Sequence, residues 1–191
     1  MLLEFKTKNY KSFVEEASFS MVAAPKQKGL DYSLMKTKIK GKEIKGLSSS
    51  VIYGPNAAGK TNIIGAMDVL RSIVLRGNIR NSEEKSSPNP AASALELIPN
   101  NNESEAKPVC FEIEFYEEDG EEHKFKIHYE LQIDLGTFLE EEYQRKILAE
   151  VLEVNGERVF ERREGLKVEN LKVIKDYLSD ITEQNAESIN E

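Results

Sequence analysis

Apolar residues recur with two different periods along this chain, and the change of period divides it into sections. Val109, Phe111, Ile113 and Phe115 alternate with polar residues, and Phe125, Ile127, Tyr129, Leu131 and Ile133 do the same. Period 2 predicts two strands, each with one buried face, and the Asp119-Gly120 pair between them predicts a hairpin. Pairing Phe115 with Phe125 keeps both apolar sets on one face and sets Glu114 opposite Lys126. Slipping one residue would set Phe115 opposite Lys124, so a two-residue turn is disfavoured. A second hairpin is predicted for 147–154 and 157–162, because Asn155-Gly156 tolerates both positive φ angles of a type I′ turn; Leu152 would then face Val159. Elsewhere the period is helical. Ile63, Ile64, Met67, Leu70, Ile73 and Val74 predict one face of a helix, and Leu171, Ile174, Leu178 and Ile181 predict another. The N-terminus begins with a patterned strand, and Val51-Ile52-Tyr53 is a short apolar strand-like run. Residues 78–108, with Ser86-Ser87-Pro88-Asn89-Pro90 and Asn100-Asn101-Asn102, read as loop.

Composition places these elements in one domain. The chain has 191 residues, 39% hydrophobic and 31% charged, enough to bury a single α/β core. No stretch approaches the length of a membrane span and the chain opens directly on a patterned strand, so the expectation is a soluble, cytoplasmic protein without membrane contact. Its one cysteine, Cys110, excludes an internal disulfide and is expected to be a small buried or half-buried side chain. The net charge of −8 is uneven: residues 1–60 hold 11 lysines and 5 acids, and the remainder 15 basic and 29 acidic residues. Lys36, Lys38, Lys40, Lys42 and Lys45 could meet DNA phosphates. Their alternation with Thr37, Ile39 and Gly41 instead favours a solvated edge hairpin, where lysines discourage further strand pairing.

Chemistry enters at Gly54-Pro55-Asn56-Ala57-Ala58-Gly59-Lys60-Thr61, a complete G-x-x-x-x-G-K-[ST] phosphate-binding loop between the strand-like run and the first helix pattern. Its fixed residues coincide by chance in about one chain in a hundred of this length. Glycines let successive backbone N–H groups turn inward around phosphates, Lys60 reaches the β and γ oxygens, and the Thr61 hydroxyl can ligate Mg²⁺. The phosphates would sit on a helix N-terminus, where unpaired N–H groups and the helix dipole favour negative charge. ATP with Mg²⁺ is the expected ligand pair, and Lys60 the catalytic side chain.

The flanks carry a resemblance. Leu2-Leu3-Glu4-Phe5-Lys6-Thr7-Lys8-Asn9-Tyr10-Lys11-Ser12-Phe13, then Glu16-Ala17-Ser18-Phe19-Ser20-Met21-Val22, then the loop with Asn56 inside it and Asn62 just after it, resemble the SMC, RecF and OLD branch of ABC-type ATPases. The likeness is closest to OLD-like and abortive-infection-type AAA family ATPases. There a Leu-x-x-x-Pro segment, a Phe-x-Ile-x-Phe strand, a second strand, an Ile-x-x-Glu-x-Leu element and a Phe-x-Arg follow. This chain has 95–99, Phe111 to Phe115 as a strand, 127–133, Ile147 with Glu150 and Leu152, and Phe160 with Arg162. The resemblance implies an α/β P-loop NTPase fold: the N-terminal lobe of an ABC-type head, with a mixed sheet around the Walker A helix, antiparallel β-hairpins and a C-terminal helix. It implies one lobe over 1–191, divided into 1–77, a polar loop 78–108, hairpins 109–165 and a helix 166–191 that could start an arm. Lys11 and Ser12 match an element that lies beside the nucleotide in relatives. Gln144 is a candidate for the Q-loop role that senses Mg²⁺ between lobes.

No apolar run is followed by Asp-Glu, and no signature or His-switch motif follows Thr61. In the family those lie in a C-terminal lobe, which becomes the first expected partner; an insert-rich member with diverged motifs is the other explanation. The resemblance further implies homodimers of complete heads that close on two ATP molecules, with DNA and a nuclease or toxin effector as partners, in DNA repair or anti-phage defence. Hydrolysis by the 191 residues alone is not expected. A non-hydrolysing nucleotide-sensing or assembly module fits the missing motifs as well. A small-molecule kinase fits less well, since Arg71, Arg76 and Arg80 follow the loop too closely to form a lid. His123 and His128 have no partner at metal-ligand spacing and read as surface residues, and the acidic run 117–122 reads as a solvated hairpin tip.

Overall fold

The computed structural model describes residues 1–25, 29, 31–79, 95–101, 106–119, 123–137 and 143–177. Nine strands and one long helix form from them: β1 (Leu2–Lys8), β2 (Ala17–Ser20), β3 (Leu34–Ile39), β4 (Lys42–Leu47), α1 (Lys60–Arg76), β5 (Val109–Asp119), β6 (His123–Asp134), β7 (Lys146–Val154), β8 (Glu157–Arg162) and β9 (Leu166–Val168). Seven strands make one sheet in the order β2-β1-β5-β6-β7-β8-β9, and β3 and β4 make a separate pair. Every pairing is antiparallel. The molecule is thus α/β, a large antiparallel sheet with α1 laid across one face, consistent with a P-loop NTPase lobe.

That face is built by period 2 in the strands. Phe5, Val109, Phe111, Leu131 and Ile133 point to one side and meet Ile63, Ala66, Val69, Leu70 and Ile73 of α1. Phe111 lies at the centre, with the Phe5 ring 6.5 Å away and Tyr10 edge-on at 5.7 Å, arrangements worth about 0.5–1.5 kcal/mol beyond their buried area. The helical stripe differs from the expected one in two members. Ile64 and Val74 are exposed, and Ala66 and Val69 take their places against the sheet, because the helix is covered on one side only.

The first hairpin forms, but its register is two residues away from the expected pairing. Phe115 lies opposite Ile127, Phe125 opposite Glu117, and Glu114 opposite His128. A shift of two returns every side chain to the same face, so the apolar pattern cannot discriminate the two registers. The expected Glu114–Lys126 attraction survives as a diagonal ion pair at 2.6 Å. Asp119 and His123 close the ladder with three residues between them, and the Asp119-Gly120 turn itself lies outside the described residues.

The second hairpin turns on Asn155 (φ 55) and Gly156 (φ 79), the two positive φ angles expected. Beyond Glu153, which faces Arg158, a bulge intervenes, so Leu152 faces Phe160 rather than Val159. Val159 is the extra residue. Its side chain is fully buried and its carbonyl accepts from the backbone N–H groups of Glu169 and Asn170, tying the following segment to β8. That segment, Leu171–Tyr177, is a 3-10 helix; the rest of the helix expected over 171–181 lies outside the described residues.

The β3–β4 hairpin carries its lysines outward, as an edge hairpin should. Lys36 pairs with Asp31 at 2.5 Å, Lys45 with Glu43 at 3.0 Å and Lys40 with Glu157 at 2.9 Å. Three of the five cations thus spend their charge within the protein. Thr37 also donates to the Tyr116 hydroxyl at 3.0 Å, fixing the hairpin against the main sheet.

Candidate functional site

Residues 54–59 leave the fold as an open loop ending at the N-terminus of α1. The run Val51-Ile52-Tyr53 that enters it is not a strand: no strand lies alongside it among the described residues, and Val51 and Tyr53 are 82% and 90% exposed. An apolar β-prone run without a neighbour has no ladder to join, which is why the expected strand does not form. The loop itself is shaped by left-handed residues. Ala57 has φ 65 and Gly59 φ 83, and left-handed residues set among ordinary ones turn successive N–H groups toward one side as an anion nest. Within the loop, the N–H of Ala58 donates to Pro55 O at 3.3 Å.

Gly59 caps α1, with no side-chain cap and no acidic residue in the first turn. The N–H groups of Asn62 and Ile63 donate to Gly59 O at 2.9 and 3.1 Å. Those of Lys60 and Thr61 precede the helical ladder and stay available to a ligand. The Lys60 ammonium folds back on the loop, donating to Gly54 O at 2.9 Å and Pro55 O at 2.7 Å, so its charge stands against the first two residues of the loop. Thr61 is exposed at the same end. A helix N-terminus, a cation and a hydroxyl thus belong to one short loop, the groups that a triphosphate with Mg²⁺ would use. By their chemistry, residues 54–61 suit that ligand.

A turn after β1 backs the loop. Asn62 Nδ2 donates to Ser12 Oγ at 2.6 Å, and a Cβ added at Gly59 would lie 2.9 Å from the Phe13 ring. Ser12 therefore lies next to Asn62 and Gly59, at the end of the phosphate loop. Lys11 does not reach the loop: its ammonium lies beside the second turn of α1, near Gly65, and is paired with Glu96. Burial lowers the Lys11 pKa, but the hydrogen bond to Glu96 and the Tyr10 hydroxyl outweigh it, so the net shift is upward. Asn9, Tyr10, Phe13 and Asn100 complete the support; the first three lie in the N-terminal element quoted above without standing out there as site residues, and Asn100 falls in the stretch expected to be loop. Asn100 looked like one member of a polar run, yet it is buried and its side chain donates to Lys11 O at 2.6 Å. The signal available was local: asparagine tolerates the left-handed φ that Asn9 adopts.

Gln144 stands apart from all of this. It is exposed just before β7, beside Arg145, whose guanidinium donates to Ile79 O beyond the C-terminal end of α1. Seventeen residues of helix, about 25 Å, separate that end from the phosphate loop. His123 is exposed, while His128 is half-buried between Glu130 at 2.9 Å and Glu114 at 4.0 Å. Cys110 is half-buried and burial raises its thiol pKa. Grooves of about 180 and 260 Å³ flank it on the outer sheet face, away from the phosphate loop.

Fold and site together define a P-loop module of the ATP-binding AAA type. Residues 49–187, more than half of the chain, match the family described as AAA domain, putative AbiEii toxin, Type IV TA system, and the chain belongs to that family. No curated protein and no solved structure is similar enough to match. No described helix is long and apolar enough to cross a membrane.

Proposed function

We propose that this chain is the ATP- and Mg²⁺-binding lobe of an ABC-type ATPase head of the SMC/RecF/OLD branch, in which nucleotide gates the dimerisation of complete heads. The observation that carries the reading is the phosphate-loop sequence 54–61 standing at the N-terminus of α1, with no side-chain cap there and the Lys60 ammonium folded onto the loop at Gly54 O and Pro55 O. Backbone donors and Lys60 would stabilise charge on the transferred phosphoryl group, without any rearrangement at the moment of reaction. Thr61 would hold Mg²⁺, which when bound bridges phosphate oxygens and neutralises their charge.

The expected partner lobe is supported by what α1 leaves uncovered. Ile64, Val74 and Leu75 on its outer side and Val51 and Tyr53 before it are all exposed apolar residues, the kind of surface that marks an interaction site when it is contiguous. A C-terminal lobe carrying the acidic strand would cover them and supply the second Mg²⁺ ligand and the general base. DNA and a nuclease or toxin effector belong to the same reading, in DNA repair or anti-phage defence. The family description, with its putative toxin, favours defence. The lysine hairpin does not support DNA contact, since Lys36, Lys40 and Lys45 are already paired.

A second reading, a nucleotide-sensing module that never hydrolyses, is favoured by the lack of an apolar run ending in Asp-Glu. Titration with a fluorescent ATP analogue, with and without Mg²⁺, alongside Lys60→Ala and with phosphate release followed, tests both. Saturable binding lost in Lys60→Ala, with turnover once a C-terminal lobe is added, supports the ATPase. Binding without turnover even then supports the sensor, and no binding overturns both.

A further inference from the structure

The turn over residues 9–13 is held with more care than a connection between two strands needs. Asn9 and Lys11 both adopt left-handed φ, 54 and 49, which non-glycine residues keep only where their surroundings impose it. The surroundings here are explicit. The N–H of Lys11 donates to Ile98 O at 2.9 Å, the N–H of Asn100 to Asn9 O at 3.1 Å, and the Asn100 side chain to Lys11 O at 2.6 Å. The Asn9 side chain donates to Lys107 O, and Tyr10 is fully buried against Phe111. What this rigid turn delivers is Ser12 and Phe13, at Asn62 and Gly59 respectively.

The direction of the Ser12–Asn62 bond gives that delivery a chemical meaning. A hydroxyl has one proton and two lone pairs. Asn62 Nδ2 donates into a lone pair at 2.6 Å, so the Ser12 proton is turned away from Asn62, and Oγ lies 3.7 Å from the point where a Gly59 Cβ would stand. Phosphate oxygens only accept. A hydroxyl whose proton is committed elsewhere is useless to them, whereas one held as a donor adds to the N–H groups of the loop.

We infer that Asn62 is a positioning residue of the nucleotide site, acting through Ser12: it fixes the Ser12 hydroxyl as a donor to the phosphate oxygens of a nucleoside triphosphate held by residues 54–61. The inference rests on the nucleotide-binding reading above. Asn62 then touches no phosphate itself, and the turn over 9–13 with its support at 98–100 sets the geometry of the site.

The test is a mutant cycle read as Kd for a fluorescent ATP analogue, with melting temperatures measured in parallel. Ser12→Ala and Asn62→Ala are each expected to weaken binding about tenfold, the scale of one hydrogen bond to a charged group. The double variant is expected to bind no more weakly than Ser12→Ala, because both changes remove one interaction. Ser12→Thr, which keeps the hydroxyl, is expected to restore most of the affinity. Losses that multiply in the double variant would overturn the inference. So would Asn62→Ala weakening binding while Ser12→Ala does not, since Asn62 would then contact nucleotide directly. Lower melting temperatures with unchanged Kd would leave the contact a brace and overturn it as well. Wild-type protein that ignores the analogue, or binds it equally after Lys60→Ala, would instead bring down the nucleotide reading on which the inference stands.

Discussion

Glu150 and Arg162 lie directly opposite each other on β7 and β8, with Arg162 Nη1 3.4 Å from one carboxylate oxygen of Glu150. The other oxygen accepts from the Tyr129 hydroxyl at 2.7 Å. Glu150 also faces Leu131, so its charge sits on the core side of the sheet. The Val159 bulge makes this arrangement possible: continuing the register of Val154 with Glu157 would bring Glu150 opposite Glu161, and like charges directly opposite destabilise a sheet. One extra residue replaces that repulsion with an ion pair.

Glu150→Ala should therefore cost more than a surface substitution. Only 15% of the Glu150 side chain is exposed, and its removal leaves Arg162 and the Tyr129 hydroxyl without their acceptor, a loss of about 1–3 kcal/mol. Urea denaturation would measure it, and a change under about 0.5 kcal/mol would mean that the triad contributes little. Burial first, then the charge and hydrogen bond of Glu150, raise the Tyr129 phenol far above tyrosine's ordinary pKa. Spectrophotometric titration should show one tyrosine that resists ionisation, and Glu150→Gln should bring it down.

Two glycines in left-handed conformation should respond differently to alanine. Gly77, φ 66, ends α1 with its N–H on Ile73 O, and a Cβ there meets nothing. Gly77→Ala should cost only the conformational preference, about 1–2 kcal/mol, and leave nucleotide affinity intact. At Gly59, φ 83, the same Cβ would meet Phe13 at 2.9 Å. Gly59→Ala should therefore add a displacement of the phosphate loop to that cost and lose nucleotide binding, with Phe13→Ala in the same chain restoring part of it. Equal affinity in the two single variants would refute the distinction.

Acid should loosen the β3–β4 hairpin before the main sheet. The hydrogen bond and charge of Lys40 hold the Glu157 carboxyl below its ordinary value of 4.5. A carboxyl depressed on folding stabilises the folded state above its unfolded pKa, and that contribution is lost as pH falls through the lower folded value. Amide exchange in 34–47 should accordingly speed up below about pH 4 relative to β5 and β6, with the Lys40–Glu157 tether released. In Glu157→Gln that extra acid sensitivity should be absent. Both partners are largely exposed, so the effect is local and weakens with added salt.

Strands and faces were legible in this sequence because they depend on signals the chain itself carries: β5 and β6 contain the two alternating runs, and β7 and β8 flank the Asn155-Gly156 turn. Registers were legible only modulo two residues, as Phe115 opposite Ile127 demonstrates. The Val159 bulge was not legible, since it follows from the charges of Glu150, Glu161 and Arg162 once the strands are side by side. At the site, the phosphate loop announces itself in eight consecutive residues. Its supports come from two separate stretches, the turn at Asn9 to Phe13 and Asn100, and the pairing of the two is written in neither. Ile64 and Val74 were misjudged for a related reason: helical spacing says that a stripe is apolar, and what covers it depends on residues elsewhere.

The same logic makes Val51, Ile52 and Tyr53 the most informative exposed residues of the molecule. A run of three β-prone apolar residues without a strand beside it has backbone groups free to pair and side chains with nothing to pack on. In the chain alone, the amides of 51–53 should exchange at nearly unprotected rates, and Tyr53→Ser should change stability by less than about 0.5 kcal/mol. It should also reduce self-association at high concentration, measured by sedimentation, because the exposed patch is smaller. With a C-terminal lobe added, protection should appear at 51–53 in the wild type and be weaker in Tyr53→Ser. Strong protection in the chain alone would mean that the run already has a strand partner, and the case for a covering lobe would lose its chief support.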